Sequence, residues 1–261
     1  MPRLAANLSF LFTELDFLDR FAAARAAGFT AVEFLFPYAY PVRDLRQRLD
    51  DNGLELALFN ISPGNWDAGE RGLAGLAART NDFRAAVEQA LGYADALGCR
   101  RLHAMAGLTT HGADLGTYVR NLAYAAERAR PHGIDILIEP INTFDMPGYL
   151  LSTTQEAAQI IAAVGLPNLR LQLDLYHRHR MEGGALQAIH DYAPLVAHYQ
   201  IAGPPDRGEP APSELDVPAL FAAIDATGYD GFVGCEYRPR AGTLAGLGWA
   251  APWLSDRSGR I

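Results

Sequence analysis

The sequence is poor in cysteine, in basic residues and in long apolar runs, and each shortage excludes a class of protein. Only Cys99 and Cys235 occur among 261 residues. Two cysteines are too few for a disulfide scaffold at this length, so we expect a reducing, cytoplasmic setting. No apolar run approaches the roughly 20 residues that cross a bilayer. The opening "MPRLAANLSFLF" lacks the pattern of a signal peptide, so we expect neither a leader nor membrane association.

Positive charge is also scarce. The chain has 22 Lys and Arg against 30 Asp and Glu, a formal net charge of −8. A nucleic-acid binder would normally carry a basic patch, so this balance disfavours one. With 49% hydrophobic and 20% charged residues, the composition is that of an ordinary globular protein. A small-molecule substrate remains compatible with all of these numbers.

One pattern recurs along the chain: an amphipathic Ala- and Arg-rich stretch, then glycine, then a short apolar run. Glycine suits the left-handed end of a helix, and short continuous apolar runs are typical of parallel strands that are covered on both faces. Thr153 and Glu156 predict a capping box for the helix that follows the fifth run. The glycines are Gly28, Gly53, Gly98, Gly133, Gly165 and Gly228.

Eight strand–helix units in this length predict an α/β fold, a (β/α)8 TIM barrel that forms a single domain over residues 1–261. A doubly wound open sheet is the alternative, but no Gly-rich phosphate loop follows the first run. Three longer insertions, 61–80, 142–152 and 202–216, follow strands and are expected at the C-terminal face of the barrel. The predicted strands are 3–8, 30–35, 54–60, 101–106, 135–141, 169–174, 196–201 and 232–237.

Oxygen-bearing side chains stand at matching places in the last four predicted strands: Glu139, Asp174, Gln200 and Glu236. For any one of them alone, a helix N-cap or a surface charge is the commoner role. Four together, converging at the mouth of a closed barrel, favour a shared site. Three carboxylates and an amide suit one hard divalent cation, Mg²⁺ or Mn²⁺.

Several motifs resemble those of the hydroxypyruvate isomerase family: "IEPIN", "DLYH", "HYQIA", "RGEP" and "GCEY", with "ANLSFLF" and "VEFLFPY" near the start. This family lies in the xylose-isomerase-like TIM-barrel superfamily, beside 2-oxo-tetronate isomerases and ketose 3-epimerases. The resemblance implies a metal on Glu139, Asp174, Gln200 and Glu236, with both glutamates exchanging protons with the substrate. It also implies substrate contacts from His177 and Arg207.

The chemistry that suits such a site is proton transfer on a short α-hydroxycarbonyl compound, a keto acid or small sugar. A cation would stabilise the cis-enediolate while Glu139 and Glu236 act as base and acid. Conversion of hydroxypyruvate to 2-hydroxy-3-oxopropanoate (tartronate semialdehyde) is the expected reaction. The 2-oxo-tetronate isomerase and ketose 3-epimerase reactions remain alternatives, with an apurinic-site endonuclease or a non-catalytic sugar-binding barrel behind them. Such barrels often form homo-oligomers, and the sequence shows no interface signature that sets a subunit number.

Five further residues are candidate substrate contacts: His177, Arg207, Asn60, Trp66 and His198. Arg207 could bind a substrate carboxylate, or it could form an ion pair with Glu209 in its own loop. Asn60 and Trp66 are candidate walls of the pocket, with simple packing as the alternative. His177 and His198 could donate to the substrate or to a metal-bound carboxylate, or be ordinary buried histidines.

Overall fold

The computed structural model describes residues 1–254 as a closed barrel of eight parallel strands in sequence order, β1 to β8, with β8 paired back to β1. This confirms the predicted α/β barrel. The strands are β1 Arg3–Asn7, β2 Ala31–Phe34, β3 Glu55–Asn60, β4 Arg101–His103, β5 Asp135–Ile138, β6 Leu169–Asp174, β7 Val196–Ile201 and β8 Phe232–Cys235. The end of the predicted domain, 255–261, lies outside the described residues.

Helices join successive strands and cover the outside of the barrel. They are α1 Arg20–Ala26, α2 Val42–Asn52, α3 Thr80–Leu97, α4 Leu115–Ala129, α5 Thr154–Val164, α6 Leu175–Glu182, α7 Ala185–Tyr192, α8 Val217–Ala226 and α9 Thr243–Gly246. Short 3-10 helices occupy Phe17–Asp19, Ala77–Arg79, Thr109–His111, Arg130–His132, Ala193–Leu195 and Leu247–Ala250. None of the helices in residues 1–254 has the length and apolarity to cross a membrane.

The ends of these helices follow the sequence signals. Thr153 and Glu156 form the predicted capping box at the start of α5, which satisfies backbone donors that the first helical turn leaves free. The six expected glycines all have positive φ, a conformation that costs glycine little. The repeated pattern therefore reported real helix ends.

The strands alternate between two environments. In β1, Leu4 and Ala6 face the helices, whereas Ala5 belongs to a separate interior cluster with Ala31, Ala57 and Phe232. Further along the barrel axis the buried residues become polar, and they include Asn7, Glu33, His198 and Gln200. The barrel is therefore apolar at one level of its interior and polar towards its C-terminal end.

Five strands end earlier than predicted. β1 and β2 end one residue early, whereas β4 ends at His103, β5 at Ile138 and β8 at Cys235, two or three residues early. Pro140 has no backbone N–H and cannot extend the ladder of β5. Glu139 and Glu236 consequently lie one residue beyond their strands, at the mouth of the barrel. The three insertions also follow strands, β3, β5 and β7, as expected.

Candidate metal and catalytic site

A cavity of about 450 Å³ opens at the C-terminal ends of the strands. Predicted site residues that line it are Asn60, Trp66, Glu139, His177, Arg207 and Glu236. Asp174, Gln200 and His198 are buried and contact these residues or their neighbours without lining the cavity. The structure therefore brings the nine predicted side chains to one region.

Glu139 and Asp174 lie at the centre of this region with His177. Ligand-type atoms of the three residues all lie within 4.8 Å of one another. Asp174 ends β6 and caps α6, since its Oδ1 accepts a hydrogen bond from the backbone N–H of Tyr176 at 2.8 Å. The strand-to-helix turn thus fixes one oxygen of Asp174 and turns the other towards Glu139 and His177.

One oxygen of Glu139 and the second oxygen of Asp174 accept no hydrogen bond from the residues that the structure describes. Glu139 Oε1 and Asp174 Oδ2 are buried and unpaired among the described residues. Burial raises the pKa of Asp174 to about 6, although Arg207 and backbone N–H groups oppose the shift. Burial, then Glu236 and Asp174, raise the pKa of Glu139 well above its usual value. Orphaned carboxylate oxygens in a buried site are costly alone, and they fit the oxygen ligands that Mg²⁺ and Mn²⁺ prefer.

His177 faces this pair through Nε2, which lies 3.7 Å from Asp174 Oδ2 and 3.9 Å from Glu139 Oε1. Its other nitrogen, Nδ1, accepts from the backbone N–H of Asn142 at 3.3 Å and from the side-chain amide of Asn142 at 2.6 Å. Asp145 fixes that amide orientation, because its backbone N–H donates to Asn142 Oδ1. Burial lowers the pKa of His177. The neutral ring therefore carries its proton on Nε2 and is a donor rather than a metal ligand.

Glu236 and Arg207 form the second charged pair of the cavity. Arg207 Nη2 donates to Glu236 Oε1 at 2.7 Å and lies 3.8 Å from Asp174 Oδ2. Burial raises the pKa of Glu236 to about 8, with Arg207 opposing. The expected alternative, an ion pair between Arg207 and Glu209, is wrong, because Glu209 pairs with Arg240 at 2.7 Å.

Gln200 links Glu236 to the polar interior of the barrel. Its side-chain nitrogen donates to Glu236 Oε2 and, at 2.8 Å, to Glu33 Oε1. Its side-chain oxygen accepts from Gln172 at 2.7 Å. In this arrangement Gln200 orients Glu236, and its role as a metal ligand stays a prediction.

His198 faces the barrel interior, as the alternation of β7 predicts, and contacts Glu33 rather than the cavity. His198 Nε2 lies 2.6 Å from Glu33 Oε2, and Asn7 donates to the other oxygen at 3.0 Å. Gly234 leaves the room for this carboxylate, because a Cβ there would lie 2.3 Å from Glu33. Glu33 thus joins β1, β2 and β7 beneath the cavity.

The wall nearest β2 to β4 contains aromatic rings and two uncharged polar residues, Asn60 and His103, beside Arg71. Trp66 packs against Phe36 with ring centroids 5.3 Å apart, and Asn60 accepts from the Tyr38 hydroxyl through its backbone carbonyl at 2.7 Å. His103, which ends β4, has no hydrogen bond from either ring nitrogen to a described residue and lies 3.6 Å from Glu139. Burial lowers the pKa of His103 to about 3, so this ring is neutral.

Sequence reasoning missed Asn142, Gln172 and Arg71. Asn142 hydrogen-bonds to His177 on α6, and Gln172 on β6 hydrogen-bonds to Gln200 on β7. Both contacts join segments that are distant in sequence, so no local motif marks them. Arg71 lies in the 61–80 insertion and lines the cavity. Its only signal was its place in a loop expected at the mouth.

Comparison with known proteins gives matches along nearly the whole chain. The model of the xylose isomerase-like TIM barrel family matches residues 21–255. A 2-oxo-tetronate isomerase from Cupriavidus necator is 53% identical over 97% of this chain and 99% of its own. A hydroxypyruvate isomerase from Escherichia coli is 44% identical over 97% of this chain and 100% of its own. A crystal structure of an AP endonuclease of family 2 from Brucella melitensis superposes with a TM-score of 0.95 at 47% identity, over 98% and 100% of the two chains.

Proposed function

The chain belongs to the xylose isomerase-like TIM barrel family, and from this we propose that it is a metal-dependent isomerase of short hydroxy-keto acids. The observation that carries the proposal is the pair of buried glutamates, Glu139 and Glu236, beside two orphaned carboxylate oxygens. Relatives named as isomerases match across nearly their whole length, which supports the same reaction class here.

The proposed substrate is a 2-oxo acid with a hydroxyl group on C3. Hydroxypyruvate is the smallest such acid and isomerises to 2-hydroxy-3-oxopropanoate, which is our assignment. A 2-oxo-tetronate presents the same reacting atoms with one more carbon. Because the 2-oxo-tetronate isomerase is the more similar of the two relatives, at 53% against 44% identity, the four-carbon acid is the alternative to test beside it.

The proposed metal ligands are Glu139, Asp174, Gln200 and Glu236, with Mg²⁺ or Mn²⁺ as the ion. A divalent cation there would polarise the substrate carbonyl and balance the negative charge of an enediolate. Glu139 and Asp174 already offer unpaired oxygens. Gln200 and Glu236 would have to exchange their present hydrogen-bond partners to join them.

In the proposed reaction one glutamate removes the proton from C3, the other delivers a proton to C2, and the proton of the C3 hydroxyl passes from O3 to O2. Raised pKa values suit both carboxyl groups to proton transfer near neutral pH. The Nε2–H of His177 donates to a substrate oxygen, since Asn142 holds the ring in that tautomer. Arg207 stabilises the ionised form of Glu236 through its ion pair.

Two other reactions fit less well. An apurinic-site endonuclease, the name given to the Brucella protein, would call for a His-rich multinuclear site and a basic surface for DNA. The candidate cluster in residues 1–254 has one histidine, and the chain carries a net charge of −8. Solved ketose 3-epimerases of about 20% identity share the fold, which leaves epimerisation without a specific observation in its favour.

Exchange of a substrate proton with solvent tests the proposal. We expect deuterium to enter hydroxypyruvate or 2-oxo-tetronate at C3 in D2O with Mg²⁺ or Mn²⁺, and the 2-hydroxy-3-oxo acid to appear by NMR. The chelated protein is the control. Absence of exchange with both acids at saturating metal would contradict the proposed reaction.

We also propose that the barrel is a single domain over residues 1–261 and that it works in the cytoplasm. The family match over residues 21–255 supports the first statement, and the two free, buried cysteines agree with the second.

A further inference from the structure

Arg207 is poorly placed to bind the carboxylate of a keto-acid substrate in the cavity. That arginine already pairs with Glu236 at 2.7 Å and lies 3.8 Å from Asp174. An added substrate carboxylate would have to compete with both acids. A second cation that is not already paired with an acid would bind the substrate carboxylate without this competition.

Two other arginines line the cavity, Arg71 and Arg238. Arg238 is exposed, and its guanidinium lies 6.0 Å from the Phe10 ring centroid with no ion pair to residues 1–254. Arg71 is half-buried and is held on three sides. Only Arg71 combines a fixed position with unused donors.

Arg71 is fixed through one end of its guanidinium. Nη1 donates to the backbone carbonyls of Trp66 and Glu70, each at 2.8 Å, and the group lies 3.8 Å from the Trp66 ring centroid. Nε and Nη2 donate to no residue in the described part of the chain. These two N–H groups form the edge of the guanidinium that matches the two oxygens of a carboxylate.

The loop that carries Arg71 is docked on the barrel. Gly72 has φ of +125°, and a Cβ there would lie 2.4 Å from the Met105 carbonyl oxygen, so only glycine permits this approach. Gly75 donates to the Ala106 carbonyl at 2.9 Å. Glu70, the neighbouring acid, is occupied by Arg79 and by the backbone N–H of Asn65, so it does not neutralise Arg71.

We propose that Arg71 is the specificity-determining residue of this site, binding the carboxylate of the substrate through Nε and Nη2. This inference rests on the proposed function and adds that the enzyme selects hydroxy-keto acids over neutral hydroxy-ketones. The Trp66 indole and two backbone carbonyls preorganise the guanidinium, so little freedom is lost when the acid binds. Arg207 then keeps its ion pair with Glu236 when the substrate binds.

The test compares Arg71→Gln with wild type on two substrates that differ only at this group. Hydroxypyruvate carries a carboxylate where dihydroxyacetone carries CH2OH. For the metal-loaded variant we expect KM for hydroxypyruvate to rise about 10- to 100-fold, as for the loss of a charged hydrogen-bonded pair, with kcat changed by less than about threefold. KM for dihydroxyacetone should stay the same, and Arg71→Lys should fall between, because lysine keeps the charge and loses the planar fork.

Arg238→Gln is the matched control and should leave the preference for the acid unchanged. If Arg71→Gln raises KM for both substrates alike, Arg71 only supports the loop and the proposal is wrong. A selective loss in Arg238→Gln would equally overturn it.

Calorimetric titration separates this inference from the proposed reaction. Hydroxypyruvate binding to wild type without turnover would contradict the isomerase proposal, while a Kd about 10- to 100-fold weaker in Arg71→Gln would still support the carboxylate site. An unchanged Kd in the variant, or no binding of hydroxypyruvate and 2-oxo-tetronate to wild type, would overturn the carboxylate site.

Discussion

The two halves of the barrel mouth bring different chemistry to one cavity. The half formed by β5 to β8 supplies Glu139, Asp174 and Glu236, all within one residue of a strand end. The half formed by β1 to β4 supplies neutral groups on its strands and, from the long loop after β3, Trp66 and Arg71. The acids that line the cavity therefore lie on one side, and the pair of Trp66 and Arg71 lies on the other.

This difference suggests a division between reaction and recognition. Groups that move protons need fixed positions, and a strand end provides them. Groups that select the substrate are set on a loop, which can change without disturbing the barrel. Glu33 is the link, because it is on β2 and hydrogen-bonds to His198 and Gln200 on β7 across the interior.

The largest expected effect comes from the half formed by β5 to β8, which we call the acidic half. Glu236→Gln removes one of the two proposed proton-transfer groups while retaining size and hydrogen bonding, so we expect kcat to fall by about 10² to 10⁴-fold. Steady-state kinetics with hydroxypyruvate and 2-oxo-tetronate measure it, and circular dichroism checks the fold.

Glu209→Gln is the matched control, because Glu209 is also a buried glutamate that pairs with an arginine, Arg240. It lies outside the lining of the cavity, and we expect turnover to persist in this variant. Equal losses in both variants would mean that charge burial, rather than proton transfer, explains the effect.

Removal of the metal should make the free energy of unfolding of the protein depend on pH through the acidic half. The folded pKa of Glu236 is raised to about 8, so the folded protein holds a proton that the unfolded chain releases near its ordinary pKa of about 4.3. Stability that depends on this proton is therefore lost as pH rises through the folded value. Burial lowers the pKa of His103 and His177, so these two rings are neutral in the folded protein between pH 7 and 8.5 and the carboxyl groups dominate.

We expect Tm of the chelator-treated protein to fall from pH 7 to 8.5, and saturating Mg²⁺ or Mn²⁺ to remove most of the slope. The free energy of unfolding should fall by on the order of 1 kcal/mol over this interval, because it drops by about 1.4 kcal/mol per pH unit until the pH reaches the folded pKa of about 8. Glu236→Gln should flatten the slope of the metal-free protein. A Tm that rises with pH over this range would contradict the burial of Glu236 in its protonated form.

Removing the Glu33 carboxylate, which links the two halves, should have a smaller effect than the changes in the acidic half. Glu33→Gln replaces a carboxylate that accepts from three side chains with an amide that can accept through only one atom. We expect the free energy of unfolding to drop by about 1–3 kcal/mol, as for a buried polar group left unsatisfied. Urea unfolding at saturating metal measures it.

Glu55→Gln on the neighbouring strand is the comparison, since Glu55 is exposed and its contact with Arg3 is long, at 3.9 Å. That change should stay within about 0.5 kcal/mol. Equal effects at Glu33 and Glu55 would show that the buried network does not join the halves.

The sequence predicted the acidic half better than the half formed by β1 to β4, which we call the recognition half. The reason is geometric. Apolar strands of a closed barrel end at one rim, so Glu139, Asp174 and Glu236 could be placed together from their positions alone. The eight strands and the capping box at Thr153 followed from equally local signals.

The contacts of Arg207 and Arg71 depend on loop conformation instead. Arg207 has a positive φ of 59°, which the letters "DRGEP" do not reveal, and it pairs with Glu236 rather than with the nearby Glu209. Arg71 depends on the close approach of Gly72 to Met105. No periodicity or residue spacing in the sequence predicts either contact.

The smallest expected effect lies in the recognition half, at Trp66. Trp66→Leu removes the ring beneath Arg71, which lies 3.8 Å from its centroid, but keeps the backbone carbonyl that binds Nη1. A cation–π contact at a partly exposed site contributes about 0.5–1 kcal/mol, so KM for hydroxypyruvate should rise about two- to fivefold with kcat unchanged. Trp66→Phe, which keeps an aromatic face, should recover most of the loss. If Trp66→Leu lowers kcat as strongly as Glu236→Gln does, the aromatic wall takes part in the reaction and the two halves are not separate in function.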